Sequence, residues 1–289
     1  MSSGNLLEKV KQLREITGVG FKDCKNAIDE NNGDIEKSIE YLRKKGIAKA
    51  NKRMDRVASE GLISITEKNN KFSMIEINSE TDFVAKNNDF INFAEEISYL
   101  GLEESGNMEK ILDAEMKNKK KVKDSLVDLI AKIGEKITLR RSVFFESKNL
   151  INFSYIHSPL KQNVGKLGVL LSLETSKPRD EILNLGKQLS MHVAASAPIS
   201  IDKDDLSQNI LMKEKEIIIE ELKVSGKDPK IVDKIAIGKI NKFISDNTLL
   251  NQEWIMEPKK KVKDVLKEFT DKNDIKIKKF ARFKVGEKI

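Results

Sequence analysis

An α+β fold is what this sequence predicts, on three observations. Apolar residues recur at helical spacing through the first 45 residues. From Gly61 the period shortens to that of strands and tight turns. A strand–strand–helix pattern then occurs twice, the second time followed by a pair of long amphipathic helices. The expected architecture is a small N-terminal helical bundle, a core of two related α+β subdomains, and a helical-hairpin arm.

The bundle occupies residues 1–45. Leu6, Val10 and Leu13 fall at i, i+4 and i+7 and form one apolar stripe. Thr17-Gly18-Val19-Gly20 stops that helix, because glycine accepts the left-handed conformation that helix ends favour. Cys24, Ala27 and Ile28 stripe a second helix, which Asn32-Gly33 breaks. Asp34 is placed to N-cap a third, striped by Ile35, Ile39 and Leu42. Three short helices joined by tight turns suggest a bundle of the ubiquitin-associated type, too small to be robust alone. Between Lys44 and Arg56 stand six Lys/Arg residues against one Asp, and a basic linker over 46–57 is expected there.

The first core subdomain spans 58–147. Leu62–Thr66 and Phe72–Ile77 read as strands, with Lys68-Asn69-Asn70-Lys71 as the turn between them. Phe90, Phe93, Ala94, Ile97 and Leu100 restore helical spacing. After a polar, lysine-rich stretch a second helix is marked by Val122, Leu126, Leu129, Ile130 and Ile133, and 136–146 reads as a strand.

The second subdomain spans 148–289. Strands at 152–157 and 166–173 precede a helix carrying Ile182, Leu185, Leu189 and Val193. A shift of 92 residues superposes Phe90, Phe93 and Ile97 on Ile182, Leu185 and Leu189, as a duplicated unit would; any two hairpin–helix units would also look alike at this level. Within it, residues 204–247 read as a helical hairpin turning at Ser225–Pro229. Leu211, Ile218 and Leu222 would face Ile237, Ile240 and Ile244. Such a pair buries itself and can project as an arm, although docking on the core fits the same pattern. A short helix and a last strand, 277–285, follow Trp254 and Pro258.

Composition narrows the function classes. Hydrophobic residues at 39% and charged residues at 34% describe a soluble globular protein. The single cysteine, Cys24, excludes an internal disulfide framework and fits a reducing compartment. No apolar run approaches the roughly 20 residues of a membrane span, and the N-terminus meets charge too early for a signal-peptide core. A cytoplasmic, non-membrane protein is expected. Two histidines, His157 and His192, are too few and too scattered for a metal site, so neither metal nor cofactor is expected. Metalloprotease, nucleophile-elbow and phosphate-loop motifs are absent, which disfavours an enzyme and direct nucleotide binding. The net charge of +7 arises from 53 basic and 46 acidic residues, mostly intermixed. The runs Lys119-Lys120-Lys121 and Lys259-Lys260-Lys261 lack interleaved aromatics, so RNA binding is not expected.

Two segments carry a family resemblance. Leu13-Arg14-Glu15-Ile16-Thr17-Gly18-Val19-Gly20-Phe21-Lys22-Asp23-Cys24-Lys25-Asn26-Ala27-Ile28 is similar to the N-terminal signature of the elongation factor Ts family. Glu76-Ile77-Asn78-Ser79-Glu80-Thr81-Asp82-Phe83-Val84-Ala85-Lys86 resembles its second signature. Weaker echoes follow in order at 133–137, 155–157, 165–170 and 191–196. The resemblance implies a guanine-nucleotide exchange factor for elongation factor Tu, without catalytic chemistry of its own. It also implies that Thr81, Asp82, Phe83 and Val84 form a tip that enters the partner's G domain and dislocates its magnesium-binding region, with Phe83 as wedge and Asp82 as polar companion. From spacing alone Phe83 would instead pack inward with Phe90 and Phe93. Arg14, Phe21 and Lys22 are implied as further contacts to the G domain, and His157, Met191 and His192 as contacts to a second partner domain. Two departures stand out. The loop after His157 is longer than the Gly-rich turn of many members, and a C-terminal helical segment found in some relatives is expected to be missing. The rival readings are an RNA-binding translation accessory protein and, from the bundle alone, a ubiquitin-like adaptor. The arm or a sheet edge could support a dimer.

Overall fold

A computed structural model describes residues 3–53, 55–146, 148–224, 229–269 and 274–288. The chain opens with helices α1 (Ser3–Thr17), α2 (Phe21–Glu30) and α3 (Ile35–Arg53). Val10, Leu13, Cys24, Ala27, Ile28 and Leu42 form their common core, so the stripes face as their spacing predicts. Asp34 caps α3 by accepting the Lys37 N–H at 3.0 Å. Over most of the segment expected as a linker, α3 continues through Arg53, because its basic residues are good helix formers and the single Gly46 costs too little to break it.

Strands β1 (Glu60–Lys68) and β2 (Lys71–Ser79) form a hairpin whose turn residues Asn69 and Asn70 both take positive φ, the geometry of a two-residue primed turn. A one-turn helix α4 (Asp82–Ala85) and helix α5 (Asn88–Glu103) follow, then α6 (Met108–Asp113), α7 (Val122–Ile133) and β3 (Ile137–Phe145). Helix α6 was hidden within the polar, lysine-rich stretch. Next come β4 (Ile151–His157), β5 (Val164–Gly165), β6 (Leu167–Glu174) and α8 (Arg179–Ser196). The hairpin is α9 (Gln208–Val224) and α10 (Pro229–Asn247), followed by α11 (Val262–Phe269) and β7 (Lys276–Lys284).

Two antiparallel sheets result, in the orders β3-β2-β1-β5 and β4-β6-β7. Their shared part is the same: a hairpin, a third strand on the outer side of the second, and a helix across the face. Each middle strand also carries a register shift, at Glu76/Ile77 in β2 and at Ser172/Leu173 in β6. Phe90, Phe93 and Ile97 of α5 fill one core and Ile182, Leu185 and Leu189 of α8 the other. A third cluster, with Ile63, Phe72, Met74, Phe145, Leu170 and Phe283, lies between the two sheets. Strand β5 was not foreseen; it lends Val164 and Gly165 to the edge of β1, so the second half of the chain completes the first sheet.

The arm has a core of its own, in which Ile218 and Leu222 meet Val232 and Ala236. Ile237 was expected in that seam and is instead 61% exposed, because the α10 stripe runs through Val232, Ala236 and Ile240 at steps of four. The turn expected at Ser225–Pro229 lies outside the described residues as far as 225–228. No helix among the described residues is long and apolar enough to cross a membrane.

Candidate partner-binding site

The chain leaves β2 at Ser79 and must reach α5 at Asn88, and the residues between form the tip. Val84 and Ala85 are buried in the first core with Phe90 and Phe93. Phe83, one helical step earlier, points away and is 78% exposed. The inward alternative for Phe83 therefore fails, because Val84 and Ala85 already occupy the inner face of the turn. Asn87 caps α5 from the other side, accepting the N–H groups of Asp89 at 2.9 Å and Phe90 at 3.4 Å. Asp82 lies 3.5 Å from Lys86, one turn on.

Thr81 stands at the N-cap position of α4, as its residue type suggests, but makes no capping bond. Its N–H and hydroxyl both donate to the Glu135 carboxylate, at 2.9 and 2.6 Å. Glu80 beside it accepts the N–H of Lys136 at 2.7 Å and is approached by Arg56 at 3.3 Å. The tip is thus held from below by the segment joining α7 to β3. Gly134 starts that segment in a left-handed conformation (φ 91°) that ends α7.

Behind the tip a groove of about 720 Å³ runs between the two subdomains. Its walls include Asp82, Ala85 and Lys86 on one side and His157, Leu160 and Met191 on the other. Residues assigned to two separate contacts in the sequence therefore share one surface. Tyr155 and His157 are linked through the hydroxyl and Nδ1 at 3.0 Å. Lys166 pairs with Glu60 at 2.6 Å, and Arg282 donates to the Ala194 carbonyl at 3.1 Å, tying β7 to the end of α8.

The family model described as Elongation factor TS matches residues 80–287, beginning at the tip. A protein named Elongation factor Ts from Caulobacter sp. (strain K31) is 41% identical over 284 residues, covering 96% of this chain and 91% of the relative. Its namesake from Xanthobacter autotrophicus is 40% identical over 283 residues, covering 97% and 92%. That from Gluconobacter oxydans is 37% identical over 280 residues, covering 97% and 91%. The chain belongs to the elongation factor Ts family. It is a translation elongation factor.

Seen as a member of the elongation factor Ts family, the chain displays most of its expected contact residues. Arg14, Phe21 and Lys22 are exposed on the bundle, with Phe21 at 43%. The bundle rests on α7 through α3, where Arg43 pairs with Asp124 at 3.4 Å. Met191 is exposed, but His192 requires correction. Neighbouring helix positions point about 100° apart, and the His192 ring turns inward, fully buried. It bonds Gln252 at 3.0 Å and stacks on Trp254 at 5.2 Å. Burial holds its imidazole below the ordinary value, against the opposing pull of the Gln252 bond. His192 supports the helix end that presents Met191 rather than touching anything outside. Glu135 is the residue that sequence reasoning missed as part of the site. It stands 54 positions from Thr81, beyond any local periodicity, although the family echo at 133–137 contained it. Among the described residues no group of three or more His, Cys, Asp or Glu could hold a metal ion.

Proposed function

We propose that this elongation factor binds elongation factor Tu in its GDP-bound form and speeds GDP release, so that GTP can replace it. The observation that carries the reading is Phe83, a ring 78% exposed at the apex of a turn whose next two residues are buried. Exposing a large aromatic against water is unfavourable in a free protein, and a rigid mount for it makes sense as a wedge for a partner's pocket.

The physical logic is linkage. A factor that binds the nucleotide-free GTPase more tightly than the GDP-bound form weakens GDP binding by the same factor. The vulnerable end is the phosphate–magnesium end, where the ion supplies a large local charge. Phe83 would enter between helices of the G domain, with Asp82 as its polar companion, and Thr81 and Val84 hold the turn. Burying one Phe contributes roughly 1.5–3 kcal/mol, or about one to two decades of affinity. That is too little for a large acceleration, so other contacts must offset the distortion. Arg14, Phe21 and Lys22 on the bundle would hold the G domain, while His157 and Met191 across the groove would hold a second partner domain. The nucleotide stays with the partner. On this reading the chain needs no catalytic group, no cofactor and no phosphate loop, and acts in the cytoplasm.

The domain roles follow. Residues 1–45 bind the partner, 58–147 carry the wedge, 148–289 supply the second grip, and the arm at 204–247 or an open sheet edge is available to a second copy. Stopped-flow release of a fluorescent GDP from elongation factor Tu, with and without this protein, tests the reading. Acceleration that saturates with protein concentration is expected. Unchanged release, together with salt-steep binding to RNA, would favour the RNA-binding alternative.

A further inference from the structure

We propose that Glu135 is a positioning residue for the wedge, acting through a reciprocal clasp between the segments Glu80-Thr81 and Glu135-Lys136. The inference rests on the exchange reading above and adds to it how the tip keeps its direction. In the β2–β3 ladder the last paired residues are Ser79 and Ile137. Backbone pairing stops there, and side chains continue it. Glu80 accepts the Lys136 N–H at 2.7 Å, while Glu135 accepts the Thr81 N–H at 2.9 Å and its hydroxyl at 2.6 Å. Each segment gives a carboxylate to the backbone of the other, which is the logic of a capping box applied across two strands. Neighbouring carboxylates repel, and Arg56 offsets this by reaching both oxygens of Glu80 at 3.3 Å, while the Lys136 ammonium donates to the Arg56 carbonyl at 2.8 Å.

The clasp fixes the peptide that enters α4. Ser79 reinforces it by donating its hydroxyl to the Thr81 carbonyl at 3.0 Å. Phe83 itself has little packing to hold it, so its aim depends on the clasp below and on buried Val84 and Ala85 beside it. Other contacts grip the partner, and a wedge ordered in advance avoids the ordering cost at the later step in which it enters the G domain. Glu135 also stands just beyond the Gly134 cap of α7, and α7 is the helix on which the bundle rests: Gly46 of α3 lies so close that a Cβ there would stand 3.1 Å from the Ala131 methyl. Bundle contacts and wedge are therefore referred to one strut.

Glu135→Ala, Glu135→Gln, Thr81→Val and the double variant Thr81→Val/Glu135→Ala test this in the full chain. Charge-assisted hydrogen bonds of this kind lead us to expect maximal GDP release about tenfold slower in Glu135→Ala, with a smaller loss in Glu135→Gln, whose amide oxygen keeps one acceptor. Half-saturating concentration should change less than about twofold, and the double variant should be no slower than Glu135→Ala alone, since both changes break one unit. In the free protein, amide hydrogen exchange at 81–85 should quicken about tenfold in Glu135→Ala, with β2 and α5 unchanged. If the wild type does not accelerate GDP release at all, the exchange reading fails, and hydrogen exchange alone judges the clasp. Unchanged exchange at 81–85 overturns the proposal. So does general loosening of the whole subdomain, which would make Glu135 merely structural, or an additive double variant.

Discussion

The two subdomains turn the same corner in different ways. In each, a Glu-Thr pair stands at the end of the middle strand, Glu80-Thr81 directly after β2 and Glu174-Thr175 across the last residue of β6, and the chain must swing round into the helix that covers the sheet. The second subdomain does this with Ser176, Lys177 and Pro178, and closes the corner with polar contacts. The Ser176 hydroxyl donates to Asp274, holding that carboxyl below its ordinary value, and the Lys177 N–H donates to the Thr175 hydroxyl at 3.1 Å. The first subdomain inserts the extra turn α4 and uses it to push Phe83 into water. Scaffold and function thus separate: the shared hairpin–helix unit supplies rigidity, and the corner supplies the site.

That comparison can be broken most strongly at Phe90, which is fully buried seven residues beyond the exposed Phe83. Phe90→Ala should cost about 3–5 kcal/mol and lower the melting temperature by several degrees. An unchanged melting curve would show that the first core is not built as described. A second contrast lies in the middle strands. β2 buries a carboxylate, Glu76, against Arg140 at 2.9 Å and Arg141 at 2.6 Å, with the Gly286 N–H at 3.2 Å. β6 buries a neutral hydroxyl, Ser172, which donates to Asn152 of β4. Glu76→Gln should therefore destabilise by about 3 kcal/mol, since it removes the buried negative charge that two partly buried guanidiniums share, whereas Ser172→Ala should cost about 1 kcal/mol. Urea unfolding of both variants reads the difference, and equal losses would contradict it.

A smaller effect belongs to the second subdomain alone. His192 is buried and its folded value is depressed, so the unfolded chain takes up its proton first as pH falls. Its stabilising contribution is complete above the ordinary value of 6.5 and is lost as pH falls from there towards the depressed folded value. Melting temperature should fall more steeply between about pH 7 and pH 5 for the wild type than for His192→Gln. Parallel profiles would count against a buried neutral imidazole.

Much of this molecule was legible in the sequence because helices and hairpins announce themselves locally. The stripes of α1–α3, the Asn69-Asn70 turn, α5, α7 and α8 all follow from spacing and turn chemistry. The failures share a cause, which is dependence on distant partners. Strand β5 is two residues long and exists because β1 offers an open edge. His192 continues the buried Leu185–Leu189 face of α8, but its polar residue type argued against an inward ring, which only the distant Gln252 and Trp254 make acceptable there. The tip was legible through its family motif rather than through periodicity, since spacing alone favoured an inward Phe83. Its clasp was not legible from spacing, because Glu135 meets Thr81 only after α5, α6 and α7 have intervened.

The central claim is that Phe83 works on a partner and not on this fold. Stopped-flow GDP release from elongation factor Tu with Phe83→Ala, run beside thermal melting of the same variant, tests it most directly. A loss of about tenfold or more in release rate, with melting unchanged within about a degree, is the predicted result. Full exchange activity in Phe83→Ala, or a loss that merely follows a drop in stability, would contradict the claim.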